Sequence, residues 1–262
     1  MEEKRMFFGL SVSSQWPDSF PNAKIIKANM RHITLAFLGS TDFEAIEKDL
    51  DSFPKAPFKV GPDGILDKLL LLPENDPNVV AYHAKFIDDR VESYRKDIVS
   101  WLEERSIYKE EKRAFLPHVT IGKKPKELSQ WKDEFSPMPF IVQDICLYES
   151  LGNSEFKILW QKPFALPVEE ITHTADIAYI IRGQTNQEFF NNAQVALCYA
   201  DEQMISFIED KKVNTFDDVV IELNNLNEKT GEKQEALFKS ISFHGSGTDE
   251  NGFISWEMFV DV

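Results

Sequence analysis

The chain has 262 residues, 42% of them hydrophobic, and a formal net charge of −15. This hydrophobic content excludes a disordered chain and supports either one large domain or two modest ones. The opening residues lack the basic flank of a signal sequence, and the longest aliphatic run is too short to span a bilayer. We therefore expect a soluble cytoplasmic protein without membrane contact, in which Cys146 and Cys198 are buried, reduced thiols.

The negative charge is unevenly distributed along the chain. Residues 1–166 carry 23 Lys plus Arg against 26 Asp plus Glu, whereas residues 167–262 carry 6 against 18. A protein that grips long nucleic acid needs many phosphate contacts, and the total charge argues against such a function. The first part can still accept a phosphate terminus locally, while the second should repel RNA and favour cations or a basic partner.

The first part predicts strands and helices in alternation. Alternating apolar residues predict strands in MFFGLSVS and RHITLAFLG, and three-and-four spacing predicts an amphipathic helix over 42–53. Strands are predicted within PFKVGPDGILDKLLLLP and in VVAYHAKF. A longer helix is predicted over 89–107, with Asp89 and Glu92 at its start and an apolar stripe of Val91, Tyr94, Ile98, Trp101 and Leu102. PHVTIGKK, PFIVQDICLYES and FKILWQKPF predict further strands, with a helix over 127–135.

Two units of this first part follow the same order. RHITLAFLG is followed by a helix and PFKV, and PHVTIGKK by a helix and PFIV, with 26 positions from His32 to Phe58 and 22 from His118 to Phe140. This spacing indicates an internal duplication, and two similar lobes would bring the repeated strands to one groove. KPFALPVEE is the predicted linker, which divides the chain into domains at 1–166 and 167–262.

The second part predicts a small αβ sandwich. ITHTADIAYIIRG predicts a strand, and a capping box at Thr185 and Glu188 opens a helix. DDVVIEL is predicted as another strand, NNLNEKTGEKQEA as a loop, and the two segments around TDENG as a closing hairpin. The whole chain is therefore predicted to be α+β, with a duplicated bilobal domain of antiparallel sheets followed by this smaller domain.

The repeated strands carry the residues that indicate chemistry. In a strand, the histidine and threonine of an H-x-T triplet point to the same side, about 7 Å apart. His32 with Thr34 and His118 with Thr120 can thus aim two imidazoles and two hydroxyls into one cleft, which suits acid and base catalysis at a phosphate. A single such triplet is more often structural, but two triplets in repeated units favour a joint site.

HITLAFLG, FLPHVTIGK and FFGLSV resemble the signature strands of the 2H phosphoesterases, in particular the RNA 2′,3′-cyclic phosphodiesterases, also called 2′-5′ RNA ligases. The resemblance implies metal-independent opening of a 2′,3′-cyclic phosphate at an RNA 3′ end to a 2′-phosphate, with no cofactor. It also implies His32 as acid and His118 as base. Where that family often has an arginine, this chain has Lys123, whereas strict alternation would select Lys124; both are candidate phosphate ligands.

THTADIAYIIRGQTNQEFFNNAQVAL, ISFHG and FVDV resemble archease, an activator of the GTP-dependent RNA-splicing ligase. The resemblance implies that ligase as a partner and a divalent cation, calcium or magnesium, held by Asp176 and Asp261 with His173 nearby. The stretch between Met204 and Phe238 is shorter than in archease.

The two resemblances together predict an enzyme of RNA end processing, repair or tRNA splicing. One rival hypothesis is a non-enzymatic adaptor that binds RNA ends or activates a splicing ligase. Another retains the phosphodiesterase but changes the substrate to 2′-5′ linkages or small cyclic nucleotides.

Overall fold

The computed structural model describes residues 3–108, 114–172, 177–233, 237–245, 247–248 and 251–262. The strands in this part of the chain are β1 (Glu3–Ser14), β2 (Lys24–Ile25), β3 (His32–Asp42), β4 (Asp63–Leu72), β5 (Val79–Phe86), β6 (His118–Lys123), β7 (Met138–Gly152), β8 (Glu155–Pro163), β9 (Val168–Ile171), β10 (Ile177–Gly183), β11 (Ser240–His244) and β12 (Ile254–Asp261). The α-helices are α1 (Phe43–Glu47), α2 (Arg90–Glu104), α3 (Leu128–Asp133), α4 (Asn186–Ala200) and α5 (Phe216–Lys233). The fold is mixed α/β with antiparallel sheets, as the sequence predicts.

Strands β1 to β8 form one antiparallel sheet whose order closes on itself. The order is β1-β3-β6-β5-β4-β7-β8, β1 also pairs with β7, and β2 pairs with β6. Most neighbouring strands share many paired residues, but β3 and β6 share only the pair Ile33 and Val119. The two strands that carry the H-x-T triplets therefore meet at a single point, where the sheet is narrowest in contact.

The predicted strands of the first part are confirmed, and so is the long helix, whose five stripe residues are all buried. The helix predicted over 42–53 is wrong in length. It is the five-residue α1 followed by a separate 3-10 turn at Leu50–Ser52. The predicted cap of α2 is also wrong, because the side chain of Asp88 accepts the backbone N–H of Arg90 and Asp89 makes no such bond.

The repeat of strand, helix and strand is visible, but PFKV and PFIV are not equivalent. PFIV lies inside β7, whereas Val60 of PFKV makes only an isolated bridge with Ala165. The strand that follows α1 begins later, at Asp63. The prolines at 57 and 62 explain the difference, since proline cannot donate to a β ladder.

The second sheet has the order β11-β12-β10-β9, with α4 and α5 packed on it. The capping box of α4 is confirmed, because Thr185 Oγ1 accepts the N–H of Glu188. The strand predicted for DDVVIEL and the loop predicted after it are wrong, since both fall largely in α5. A second box, in which Thr215 and Asp218 exchange backbone and side-chain bonds, opens this helix, and Val219, Leu223 and Leu226 recur at helical spacing on its buried side.

The link between the two sheets is shorter than the predicted linker. β8 ends at Pro163 and β9 begins at Val168, so Lys162, Pro163 and the residues VEE belong to strands. Ile65 and Ile141 of the first sheet are buried in the same apolar cluster as Tyr179, Phe190 and Leu197 of the second part. The two sheets therefore share core side chains, while the boundary at 166 stays a prediction.

Two further expectations concern exposure. Cys146 and Cys198 are buried free thiols, as predicted, and burial raises the pKa of Cys146 to about 12. Among the described residues, no helix combines the length and apolar character needed to cross a membrane.

We expect Ile65→Ala to lower the free energy of unfolding by about 2–5 kcal/mol, because Ile65 is only 5% exposed in the shared core. Urea denaturation followed by circular dichroism measures the change. Ile221→Ala is the matched control, since Ile221 is 55% exposed on α5 and should change stability by less than about 0.5 kcal/mol. Equal losses in both variants would contradict the shared core.

Candidate active site

The pair Ile33 and Val119 brings the two H-x-T triplets to one cavity. Both side chains of this pair are fully buried in the core. The residues on either side of them point to the opposite face, as strand alternation requires. His32, Thr34, His118 and Thr120 therefore line a single cavity of about 230 Å³.

Both imidazoles are held in the same way. The ring Nδ1 of His32 lies 2.7 Å from the carbonyl oxygen of Met30, and that of His118 lies 2.7 Å from the carbonyl oxygen of Leu116. A carbonyl oxygen only accepts hydrogen bonds, so Nδ1 carries the proton in both rings. Nε2 is then left in each ring as the nitrogen that can exchange a proton with a ligand.

His32 is enclosed by aromatic rings. Its ring centroid lies 4.7 Å from those of Phe7 and Tyr148 and 4.9 Å from that of Phe156. Gly9 allows this approach, because a Cβ there would lie 3.0 Å from the carbonyl oxygen of Ile33 and 3.6 Å from the His32 ring. Burial lowers the pKa of His32 to about 4, and the nearby His118 and Lys123 lower it further. His32 is thus neutral at pH 7 in the free protein.

His118 lies in a more open position, and the sequence reasoning did not single out its cross-strand neighbour. His83 of β5 is paired with His118 in the register of the sheet. The Nδ1 of His83 lies 2.6 Å from Oδ1 of Asp67. A carboxylate and a third histidine therefore flank the second triplet on the β5 side.

Lys123, and not Lys124, lines the cavity. β6 has a register shift against β5, where Gly122 pairs with Val80 but Thr120 pairs with Ala81. Ile121 is the extra residue of this bulge, so the alternation changes phase and Lys123 falls on the same face as Thr120. Lys124 is exposed after the strand end, with a φ of 53° and its N–H bonded to Asn78. The alternation argument for Lys124 is therefore wrong.

The cavity also contains residues that the sequence reasoning missed: Arg5, Phe7, Ile26, Phe37, Ser150 and Phe156. Arg5 and Phe7 alternate along β1 on the cavity side. Phe37 lies opposite Phe7 because β3 has register shifts against β1 in which Leu35 and Leu38 are skipped. Alternation from Phe7 was a usable signal for Arg5, but the bulges that place Phe37 have no clear sequence pattern.

The proposed metal ligands are not brought together by the described residues. His173 and Asp176 lie outside the part of the chain that the structure describes. Asp261 ends β12, and its carboxylate lies 3.5 Å from the ammonium of Lys239. Within the described ranges, no group of three or more His, Cys, Asp or Glu side chains is arranged to hold a metal ion. The cation site stays a prediction.

No family model and no curated protein matches the sequence. Solved structures similar to it include E. coli LigT complexed with 3′-AMP, at 20% identity and a TM-score of 0.47, which covers 62% of this chain and 99% of that one. LigT in apo form gives 20%, 0.46, 63% and 99%, and TT0787 of Thermus thermophilus gives 17%, 0.43, 61% and 97%. We therefore draw the function from the cavity itself.

We expect the His32 imidazole to titrate with a midpoint near pH 4 in an NMR pH titration, because burial disfavours the imidazolium. Phe156→Ala removes one of the enclosing rings and should raise the midpoint by about one unit or more towards 6.5. Phe37→Ala is the control, since Phe37 contacts Phe7 instead. A midpoint near 6.5 in the unmodified protein would contradict the burial of His32.

Proposed function

We propose that the chain hydrolyses the 2′,3′-cyclic phosphate at an RNA 3′ end to a 2′-phosphate. The observation that supports this most is the convergence of two imidazoles, each with Nε2 available, and two threonine hydroxyls in one cavity. Lys123 and Arg5 add positive charge at the same place. This set of groups matches an anionic phosphate that needs both a proton donor and a proton acceptor.

The proposed reaction has one chemical step. One imidazole removes a proton from water while the water oxygen bonds to phosphorus. The other imidazole gives its proton to the 3′ oxygen as the bond between phosphorus and that oxygen breaks. The two threonine hydroxyls donate hydrogen bonds to the phosphoryl oxygens, and Lys123 stabilises the negative charge that grows in the transition state. The products are a 2′-phosphate and a free 3′-hydroxyl.

The burial of His32 separates two assignments of the proton. If His32 is the base, it is ready as the neutral ring, and kcat/KM should fall as the pH drops through about 4. If His32 is the acid, as the resemblance implies, it must take up a proton together with the anionic substrate. In that case kcat/KM should fall as the pH rises above about 4. The pH profile of kcat/KM distinguishes the two.

We expect His32→Ala and His118→Ala each to lower kcat on an oligonucleotide ending in 2′,3′-cyclic phosphate by roughly 10²–10⁴-fold, because each removes one proton transfer. Separation of the 2′-phosphate and 3′-phosphate products measures both the rate and the bond that is cut.

His244→Ala is the matched control, because His244 is an exposed histidine of β11 outside the cavity and its loss should leave the rate unchanged. Binding of the cyclic end without turnover in the unmodified protein would overturn the enzymatic proposal and select the adaptor. Turnover of 2′-5′ linkages or small cyclic nucleotides alone would select the other phosphodiesterase.

We expect Lys123→Gln to lower kcat/KM by about ten- to a hundredfold, since it removes the cation nearest the phosphate. Lys124→Gln is the matched control and should change kcat/KM by less than about twofold, because its exposed side chain adds only a screened charge. Steady-state kinetics of both variants measures the difference. A larger loss with Lys124→Gln would contradict the phase set by the bulge at Ile121.

We further propose that the second part couples this activity to an RNA-splicing ligase in RNA end processing, repair or tRNA splicing. The support is its resemblance to archease and its acidic composition, which suits a basic partner. If a divalent cation binds there, Asp261 is the described residue that would hold it, and the cation would neutralise nearby carboxylates. Ligation assays with and without the chain test this coupling.

A further inference from the structure

The cavity continues into a second groove. This groove, of about 370 Å³, lies between residues 25–30 and residues 151–156. Phe156 lines both the cavity and the groove. The same two segments also contribute Ile26 and Ser150 to the cavity, so the two spaces are adjacent along one path on the surface. The cavity of about 230 Å³ is below the roughly 300–1,000 Å³ typical of sites for small molecules, so a longer ligand needs this adjoining surface.

The side chains of the groove suit one nucleotide of a single strand. Ile25 and Leu151 are large apolar side chains that are 37% and 55% exposed, and exposed pairs of this kind offer a surface for the face of a base. Lys27 supplies a cation for a phosphodiester, and Asn29 and Asn153 supply amides. Glu155 adds one carboxylate, which accepts hydrogen bonds from hydroxyl or amino groups.

Two further features connect the groove to the catalytic residues. Met30 lines the groove, and its carbonyl oxygen fixes the His32 ring. Ser154 lies in the turn between β7 and β8, and its Oγ is buried without a hydrogen-bond partner among the described residues. A side-chain rotation would give that hydroxyl a partner on a ligand in the groove.

We propose that this groove binds the nucleotide that precedes the terminal one, so that the site selects single-stranded RNA chains over mononucleotides. This inference rests on the proposed function, because the cyclic phosphate places the terminal nucleotide in the cavity. Lys27 binds the phosphodiester between the last two nucleotides, and the penultimate base packs on Ile25 and Leu151.

The test compares cytidine 2′,3′-cyclic phosphate with a trinucleotide that ends in the same group. The unmodified protein should have the higher kcat/KM with the trinucleotide. Lys27→Gln should raise KM for the trinucleotide about fivefold and leave the mononucleotide within about twofold, because one exposed phosphate contact is lost. The slope of log(kcat/KM) against log salt should also become shallower by about 0.7 for the trinucleotide. Ser154→Gly should reduce the same preference and suits the left-handed φ of 69° at that position.

Lys157→Gln is the matched control, because Lys157 is an exposed lysine on the same hairpin that does not line the groove. Equal kcat/KM for both substrates, or equal losses with Lys27→Gln and Lys157→Gln, would overturn the groove while leaving the proposed hydrolysis intact.

If neither substrate is hydrolysed, the proposed function fails, and competition binding decides the groove separately. A fluorescein-labelled trinucleotide with a terminal 2′-phosphate is displaced by the unlabelled trinucleotide or by cytidine 2′-phosphate. Tighter binding of the trinucleotide that is lost in Lys27→Gln supports the groove, and equal binding of the two competitors overturns it.

Discussion

The candidate site depends on one contact between two strands. β3 and β6 are joined only through Ile33 and Val119, and these two side chains are buried in the core of the sheet. Because residues on either side of a buried strand position face the other way, burying this pair directs both triplets to the same side. Packing of the core therefore sets the position of the catalytic candidates, and a slip of one residue in either strand would turn its triplet away from the cavity.

Strand alternation explains both the success and the failure of the sequence reasoning at this site. It places His32, Thr34, His118 and Thr120 correctly, because no bulge interrupts either triplet. It fails for Lys123, which lies beyond the extra residue Ile121. A bulge is a property of the pairing between two strands, and a single sequence gives no direct sign of its partner's register.

The second part shows a different limit. The run VVIE of DDVVIEL favours a strand by intrinsic propensity, and the prediction followed that preference. The wider pattern of Val219, Leu223 and Leu226 is helical, and the box at Thr215 and Asp218 supplies a start signal. Burial of one helical face against the sheet outweighs the local preference of three β-branched residues, since tertiary packing supplies most of the stability of a helix. Periodicity over four turns was the better guide than composition over one.

The aromatic enclosure of His32 has opposing consequences for orientation and charge. Phe7, Tyr148 and Phe156 restrict the ring, and the carbonyl of Met30 fixes its tautomer, so Nε2 has a defined direction. The same enclosure removes water and disfavours the imidazolium, which Lys123 opposes further. An anion in the cavity reverses both effects, since it attracts the protonated ring and neutralises the lysine. Binding of a phosphate and protonation of His32 are therefore linked, and each must favour the other by the same free energy.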